Sequence, residues 1–231
     1  MTVPIVALDV PTLDAAMAIV DRLGGSCEFY KVGLELYAAD GPRAVERLRS
    51  KGKSVFVDLK AHDIPNTVRG VARQVAAAGA ALLTVHAVGG VPMLSAAVEG
   101  AGAQDGSGCG VLAVTVLTSF DAAGYAAAAG RERVEIQAEV ERLATAARSA
   151  GAFGVVCSGR EARSVVDGFR GALKVLVPGV RAAGDAPNDQ ARVVTPVEAK
   201  AAGASYVVLG RAVTRAADPV AAFESIRAQL V

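Results

Sequence analysis

Short apolar runs rich in β-branched residues alternate along the chain with longer, alanine-rich stretches whose apolar positions recur at helical spacing. The runs are Pro4–Leu8, Phe29–Val32, Val55–Val57, Leu82–Val85, Val111–Val116, Gly154–Cys157, Lys174–Val177 and Tyr206–Leu209. Near-continuous apolar runs of this length are the mark of strands covered on both faces, the habit of parallel sheets. The stretches between them read as helices, for example around Val45–Leu48 and over Ile136–Ala150. Eight such βα units in 231 residues predict an α/β fold, a (β/α)8 TIM barrel. A doubly wound open sheet is the alternative, but eight regular units leave it little room. No linker, charge block or shift in composition divides the chain, so residues 1–231 are expected to form one domain.

Composition narrows the classes of function. A hydrophobic content of 52% supports a well-buried core, as does a mean hydropathy of +0.39, and sets disorder aside. A net charge of +1 supplies neither a field for nucleic acid nor a polybasic patch for a membrane. A small anionic substrate must therefore be met by local positive groups. Cys27, Cys109 and Cys157 are odd in number, widely spaced and joined by only two histidines. That opposes a disulfide framework or a zinc site, favours small buried fillers and fits a reducing, cytoplasmic setting. Residues Met1-Thr2-Val3-Pro4 lack a signal-peptide pattern. The stretch Val75–Val98 has no Asp, Glu, Lys or Arg, yet Gly79, Gly89, Gly90 and Pro92 break it into helix end, strand and helix start. A soluble protein is expected.

Candidate chemistry begins in Asp58-Leu59-Lys60-Ala61-His62-Asp63-Ile64, directly after the run Ser54–Val57. Successive strand side chains point to opposite faces, so Asp58 and Lys60 are expected to project the same way. Asp63 lies past the strand end, where the chain can bring its carboxylate back or carry it elsewhere. Charges so dense after a buried strand are costly unless paired and used. Barrel active sites gather at the C-terminal ends of strands. Those positions hold Asp9, Lys31, Asp58, Lys60, His86, Thr118, Ser158, Arg181 and Arg211, a ring that favours an enzyme site. His62 reads as a loop-structuring residue rather than an acid–base group, and His86 as either a pocket wall or a loop cap.

The last two strands suggest a phosphate site. They end in Pro178-Gly179-Val180-Arg181 and Gly210-Arg211. Loops after strands seven and eight recur as phosphate sites on this fold. Glycine admits backbone N–H groups to an oxyanion, a following helix start adds its dipole, and arginine binds bidentately. The polar segment from Arg181 to Gln190 reads as a lid, with Gln190 suited to bridge phosphate and substrate.

The run Asp58-Leu59-Lys60-Ala61-His62-Asp63-Ile64-Pro65-Asn66-Thr67 resembles the signature of the orotidine 5′-phosphate decarboxylase family. The resemblance extends through Ala7–Asp9, Lys31–Gly33, Val114–Ser119, Val177–Arg181, Asp189-Gln190 and Leu209–Thr214, in order along nearly the whole chain. It implies a homodimeric barrel, without metal or organic cofactor, that converts orotidine 5′-monophosphate to uridine 5′-monophosphate and CO2 in de novo pyrimidine biosynthesis. The charged tetrad it implies is Lys31, Asp58, Lys60 and, from the neighbouring subunit, Asp63. Asp9 and Lys31 are implied to hold ribose hydroxyls, with Thr67 reaching across from the partner. The resemblance further implies that Thr118 and Ser119 address the pyrimidine and that Ile64 and Pro178 add substrate contacts. Arg181, Gln190, Gly210 and Arg211 are implied to receive the phosphate. Lys60, flanked by two anions that favour its charged form, is expected to offset charge developing at C6 and to protonate that carbon. Two rivals remain. Metal-dependent sugar-phosphate lyases or decarboxylases of the same superfamily replace the strand-two lysine by an acidic residue, so Lys31 opposes them. A non-catalytic barrel that binds a phosphate ligand needs no Asp–Lys–Asp array.

Overall fold

The eight apolar runs form strands β1 (Val3–Ala7), β2 (Phe29–Gly33), β3 (Ser54–Ala61), β4 (Leu82–His86), β5 (Gly110–Val114), β6 (Gly154–Val156), β7 (Lys174–Val177) and β8 (Tyr206–Leu209). Each pairs in parallel with its neighbours in sequence, and β1 pairs with β8 to close the barrel. This computed structural model describes residues 1–102, 108–180 and 192–231. Its helices are α1 (Leu13–Leu23), α2 (Leu34–Asp40), α3 (Pro42–Ser50), α4 (Pro65–Ala77), α5 (Gly90–Gly100) and α6 (Ala122–Ala128), followed by α7 (Ile136–Ser149), α8 (Gly159–Phe169), α9 (Pro196–Ala201), α10 (Arg211–Thr214) and α11 (Pro219–Leu230). The connections after β2 and β5 each carry two helices.

Strand alternation sorts the core into two layers. Ile5 and Ala7 of β1 join Phe56, Leu112, Leu176 and Val208 in a cluster that fills the barrel. Val6, Val32, Val57 and Leu83 face outward into the larger shell beneath the helices. Both faces of every strand are thus covered, which is why the runs read as continuously apolar. Cys27, Cys109 and Cys157 are free thiols buried in that shell. Local signals end the helices. The Thr12 hydroxyl accepts from the Ala15 N–H at the start of α1, and Gly24 closes it at φ 51°. Thr195 and Glu198 form a reciprocal capping box on α9. Among the described residues no helix is long and apolar enough to cross a membrane.

One strand departs from regular geometry, and it carries the charged heptad. On β3, Val57 pairs with Leu83 of β4 but Ala61 pairs with Val85, so β3 takes a longer path over the same stretch of its neighbour. Lys60 sits within the irregularity at φ 50°, a left-handed conformation that most side chains avoid.

Candidate active site

A cavity of about 630 Å³ opens at the C-terminal ends of the strands. Its floor is the top of the barrel core, including Ala7 and Phe56. Its wall is divided. Asp9 just beyond β1, Lys31 of β2, and Asp58 and Lys60 of β3 form one part, whereas β5 to β8 contribute Val114, Val156, Leu176 and Val208. Pro178, Gly179, Gly210 and Arg211 rim the cavity after β7 and β8, and Thr118 stands above β5. A charged side thus faces an apolar side across one enclosed space.

The charged side is a chain of alternating sign. Asp9 Oδ1 lies 2.8 Å from Lys31 Nζ, and Lys31 Nζ lies 3.5 Å from Asp58 Oδ2. Lys60 Nζ sits 2.9 Å from both oxygens of Asp58. Burial pushes the Asp58 carboxyl up, but the Lys31 and Lys60 charges, with hydrogen bonds from Lys60 and Thr84, outweigh it and hold the group below its usual range. The meeting of Asp58 and Lys60 agrees with the sequence reading, but simple alternation is not its cause. The bulged backbone and the left-handed Lys60 direct that ammonium back onto Asp58.

Other expected positions fall outside this space. Asp63 and Ile64, on the segment leading into α4, and Thr67, in its first turn, are exposed and do not line the cavity. The Asp63 carboxylate accepts the Ile64 N–H at 2.6 Å, and among the described residues it makes no ion pair. Ser119 is exposed beyond Thr118 and also lies outside the lining. Ser158 is fully buried and caps α8, accepting the Arg160 N–H at 3.2 Å, so it is not part of the mouth. His86 stands against His62, with ring centroids 5.8 Å apart, and neither lines the cavity. Burial and the nearby His62 and Lys60 charges hold the His86 imidazole below its ordinary value, although Asp58 opposes them. Arg181 and Gln190 lie outside the described residues. The short α10 that follows Gly210 has four residues, so little helix dipole accumulates there.

Several residues in or beside the site escape a reading of the chain. Gly33 has an ordinary extended backbone, φ −87° and ψ −179°. A methyl group there would lie 2.8 Å from Lys31 Nζ and 2.9 Å from Asp9 Oδ1, so the glycine makes room for that ion pair. Arg215 lines the same rim as Arg211. Arg192 is buried beside the cavity, donating to the Val116 and Leu117 carbonyls at 3.2 Å each. It also forms an ion pair of 2.8 Å with buried Glu161, though not along a hydrogen-bond axis. Thr84, a lone hydroxyl in the apolar run of β4, touches both Asp58 and Lys60.

Residues 2–226 match the family model for "Orotidine 5'-phosphate decarboxylase / HUMPS family". The chain belongs to that family. Among members of the orotidine 5′-phosphate decarboxylase / HUMPS family, the protein of Anaeromyxobacter sp. (strain K) named orotidine 5′-phosphate decarboxylase is 52% identical over 224 residues, covering 97% of this chain and 96% of its own. A protein of the same name from Moorella thermoacetica is 47% identical, covering 98% and 91%. The crystal structure of orotidine 5′-phosphate decarboxylase from Lactobacillus acidophilus superimposes with a TM-score of 0.87 at 34% identity, over 100% of this chain and 99% of that one.

Proposed function

We propose that this chain decarboxylates orotidine 5′-monophosphate to uridine 5′-monophosphate and CO2 in pyrimidine biosynthesis, without a metal or organic cofactor. In this reading residues 1–231 act as one catalytic domain, in the cytoplasm. The observation that carries it is Asp58, a buried carboxylate met by two ammonium groups on one side of a cavity whose other side is apolar.

Breaking the bond from C6 to the substrate carboxylate leaves an electron pair in the ring plane, where the ring's own π-system cannot delocalise it. The site must stabilise that pair by fixed charge. Lys60 supplies an ammonium for this purpose, steered by Asp58 at 2.9 Å. As CO2 departs, the pair on C6 takes a proton from Lys60, and the amine regains one from solvent. Asp58, beside the departing carboxylate, adds repulsion in the bound substrate that is relieved on bond breaking. The apolar wall suits neutral CO2 better than it suits a carboxylate. The Lys31 and Lys60 ammonium groups, 3.5 Å and 2.9 Å from Asp58, repel a divalent cation from that carboxylate, which favours direct electrostatic catalysis over metal assistance.

Asp9 and Lys31 hold the ribose hydroxyls, and Thr118 and Ser119 address the pyrimidine. Pro178 and Ile64 add contacts. Gly210 and Arg211, with Arg181 and Gln190, receive the phosphate, whose remote binding energy is used for positioning and closure. Among the described residues, nothing lies within 4 Å of where a Cβ on Gly210 would stand, as a phosphate cradle needs. Asp63 and Thr67 complete the neighbouring site in a homodimer. Supporting this, both are exposed and outside the lining of their own cavity, and Ile64 between them is 67% exposed. Further exposed apolar residues, Leu34, Val88 and Val91, also follow the C-terminal ends of β2 and β4.

Purified protein treated exhaustively with chelator is expected to convert orotidine 5′-monophosphate to the uridine nucleotide, followed by loss of substrate absorbance. Tight nucleotide binding without turnover, or turnover that returns only with added magnesium, overturns the reading.

A further inference from the structure

We propose that Thr84 is a positioning residue for the reaction, its single hydroxyl fixing both the Asp58 carboxylate and the main chain of Lys60. The inference rests on the decarboxylase reading above and adds a residue on β4 that touches no cavity surface.

The geometry is directional. A hydroxyl has one proton to give and lone pairs to receive. Thr84 Oγ1 gives its proton to Asp58 Oδ1 at 2.8 Å and accepts the Lys60 N–H at 2.9 Å. The residue is fully buried, so neither bond competes with water. On its own strand Thr84 follows Leu82 and Leu83 in a run that is otherwise apolar, and packing alone would favour valine there.

What the hydroxyl holds is the strained part of the site. Lys60 stands at φ 50° where the β3–β4 ladder slips, so its N–H lacks the regular strand partner. Left-handed conformations of bulky residues persist only where the surroundings over-determine them. Thr84 supplies that restraint, and the same oxygen sets which way the carboxylate steering Lys60 Nζ is turned. Asp58 is otherwise faced by Lys31 from β2, by Lys60 on its own strand and by the His86 imidazole at the end of β4. Asp9 reaches it only through Lys31. None of these groups can replace a donor placed below the carboxylate that also accepts from the Lys60 backbone.

Thr84→Val keeps the shape and deletes both bonds, while Thr84→Ser keeps the hydroxyl. On orotidine 5′-monophosphate, Thr84→Val is expected to lose about tenfold to a hundredfold in kcat with KM nearly unchanged. Its acid-side limb of kcat against pH should move upward, because Asp58 loses a hydrogen bond that favours its charged form. Thr84→Ser is expected to restore kcat to within about threefold of the parent and to return the limb. Melting temperatures measured alongside separate a folding defect from a catalytic one. Should Thr84→Val not fold, Thr84→Ala takes its place with the same expected loss. Unchanged kcat without the hydroxyl, a loss confined to KM, or a loss that serine does not repair overturns the inference. Lack of turnover by the parent protein instead overturns the decarboxylase reading on which it rests.

Discussion

Gly33 shows how a residue without a side chain can shape a charged site. Its backbone torsions suit any amino acid, so the glycine answers to space, and the space is taken by the Lys31–Asp9 pair. Gly33→Ala is expected to displace that pair and lower kcat/KM about tenfold to a hundredfold, leaving the melting temperature nearly unchanged. Activity equal to the parent's would show that the pair tolerates the methyl group. Charged residues at strand ends were readable from the chain because ionisable groups after apolar runs stand out, as Lys31, Asp58 and Lys60 do. Gly33 and Thr84 were not readable in these roles. One matters through what it lacks, and the other through two bonds made across a slipped ladder that no sequence periodicity encodes.

Among the elements, all eight apolar runs became strands, with the differences confined to their ends. β3 continues to Ala61, past the apolar run, because Ala61 still pairs with Val85 of β4 beyond the slip. β5 stops at Val114 because β6 ends at Val156, its partner in register. The additional helices after β2 and β5 follow from local signals: Gly41 before Pro42 opens α3, and Asp121, whose carboxylate accepts the Gly124 N–H, caps α6. Those added helices are tied to the shell by polar contacts as well as apolar ones. Glu139 of α7 accepts from Tyr125 of α6, from Arg131 between them and from Arg142. The hydrogen bond from Arg142 is the leading cause that takes its carboxyl from the ordinary 4.5 down to about 2, against burial. A depressed carboxylate stabilises the fold above its unfolded pKa and ceases to do so as pH falls through the folded value. Glu139→Gln should therefore be less stable than the parent by about 1 kcal/mol at neutral pH, the partly exposed arginines keeping the figure small. The difference should shrink between pH 4.5 and about 2. Denaturant unfolding across that range checks it, and a gap independent of pH would contradict the assignment.

The whole molecule raises the question of Asp63. From the sequence it could return to its own strand end or reach elsewhere, and only the three-dimensional path of the chain shows its carboxylate exposed and outside the cavity. In the proposed homodimer, mixing Asp63→Ala with Lys60→Ala protein should recover activity as subunits exchange, approaching about a quarter of the parent's in an equal mixture. No recovery despite demonstrated exchange would place Asp63 outside a shared site. The barrel itself was legible because its strands advertise burial on both faces. The proposed shared site was not legible from periodicity or spacing, since completion by a second copy would leave only exposed residues on the first. In the proposed reaction the charge array around Lys60 does the work a cofactor would otherwise do, so the deciding measurement is turnover of Lys60→Ala on orotidine 5′-monophosphate in chelator-treated buffer. A loss of about a thousandfold or more in kcat is expected, with the fold intact. Near-normal turnover by that variant would contradict it.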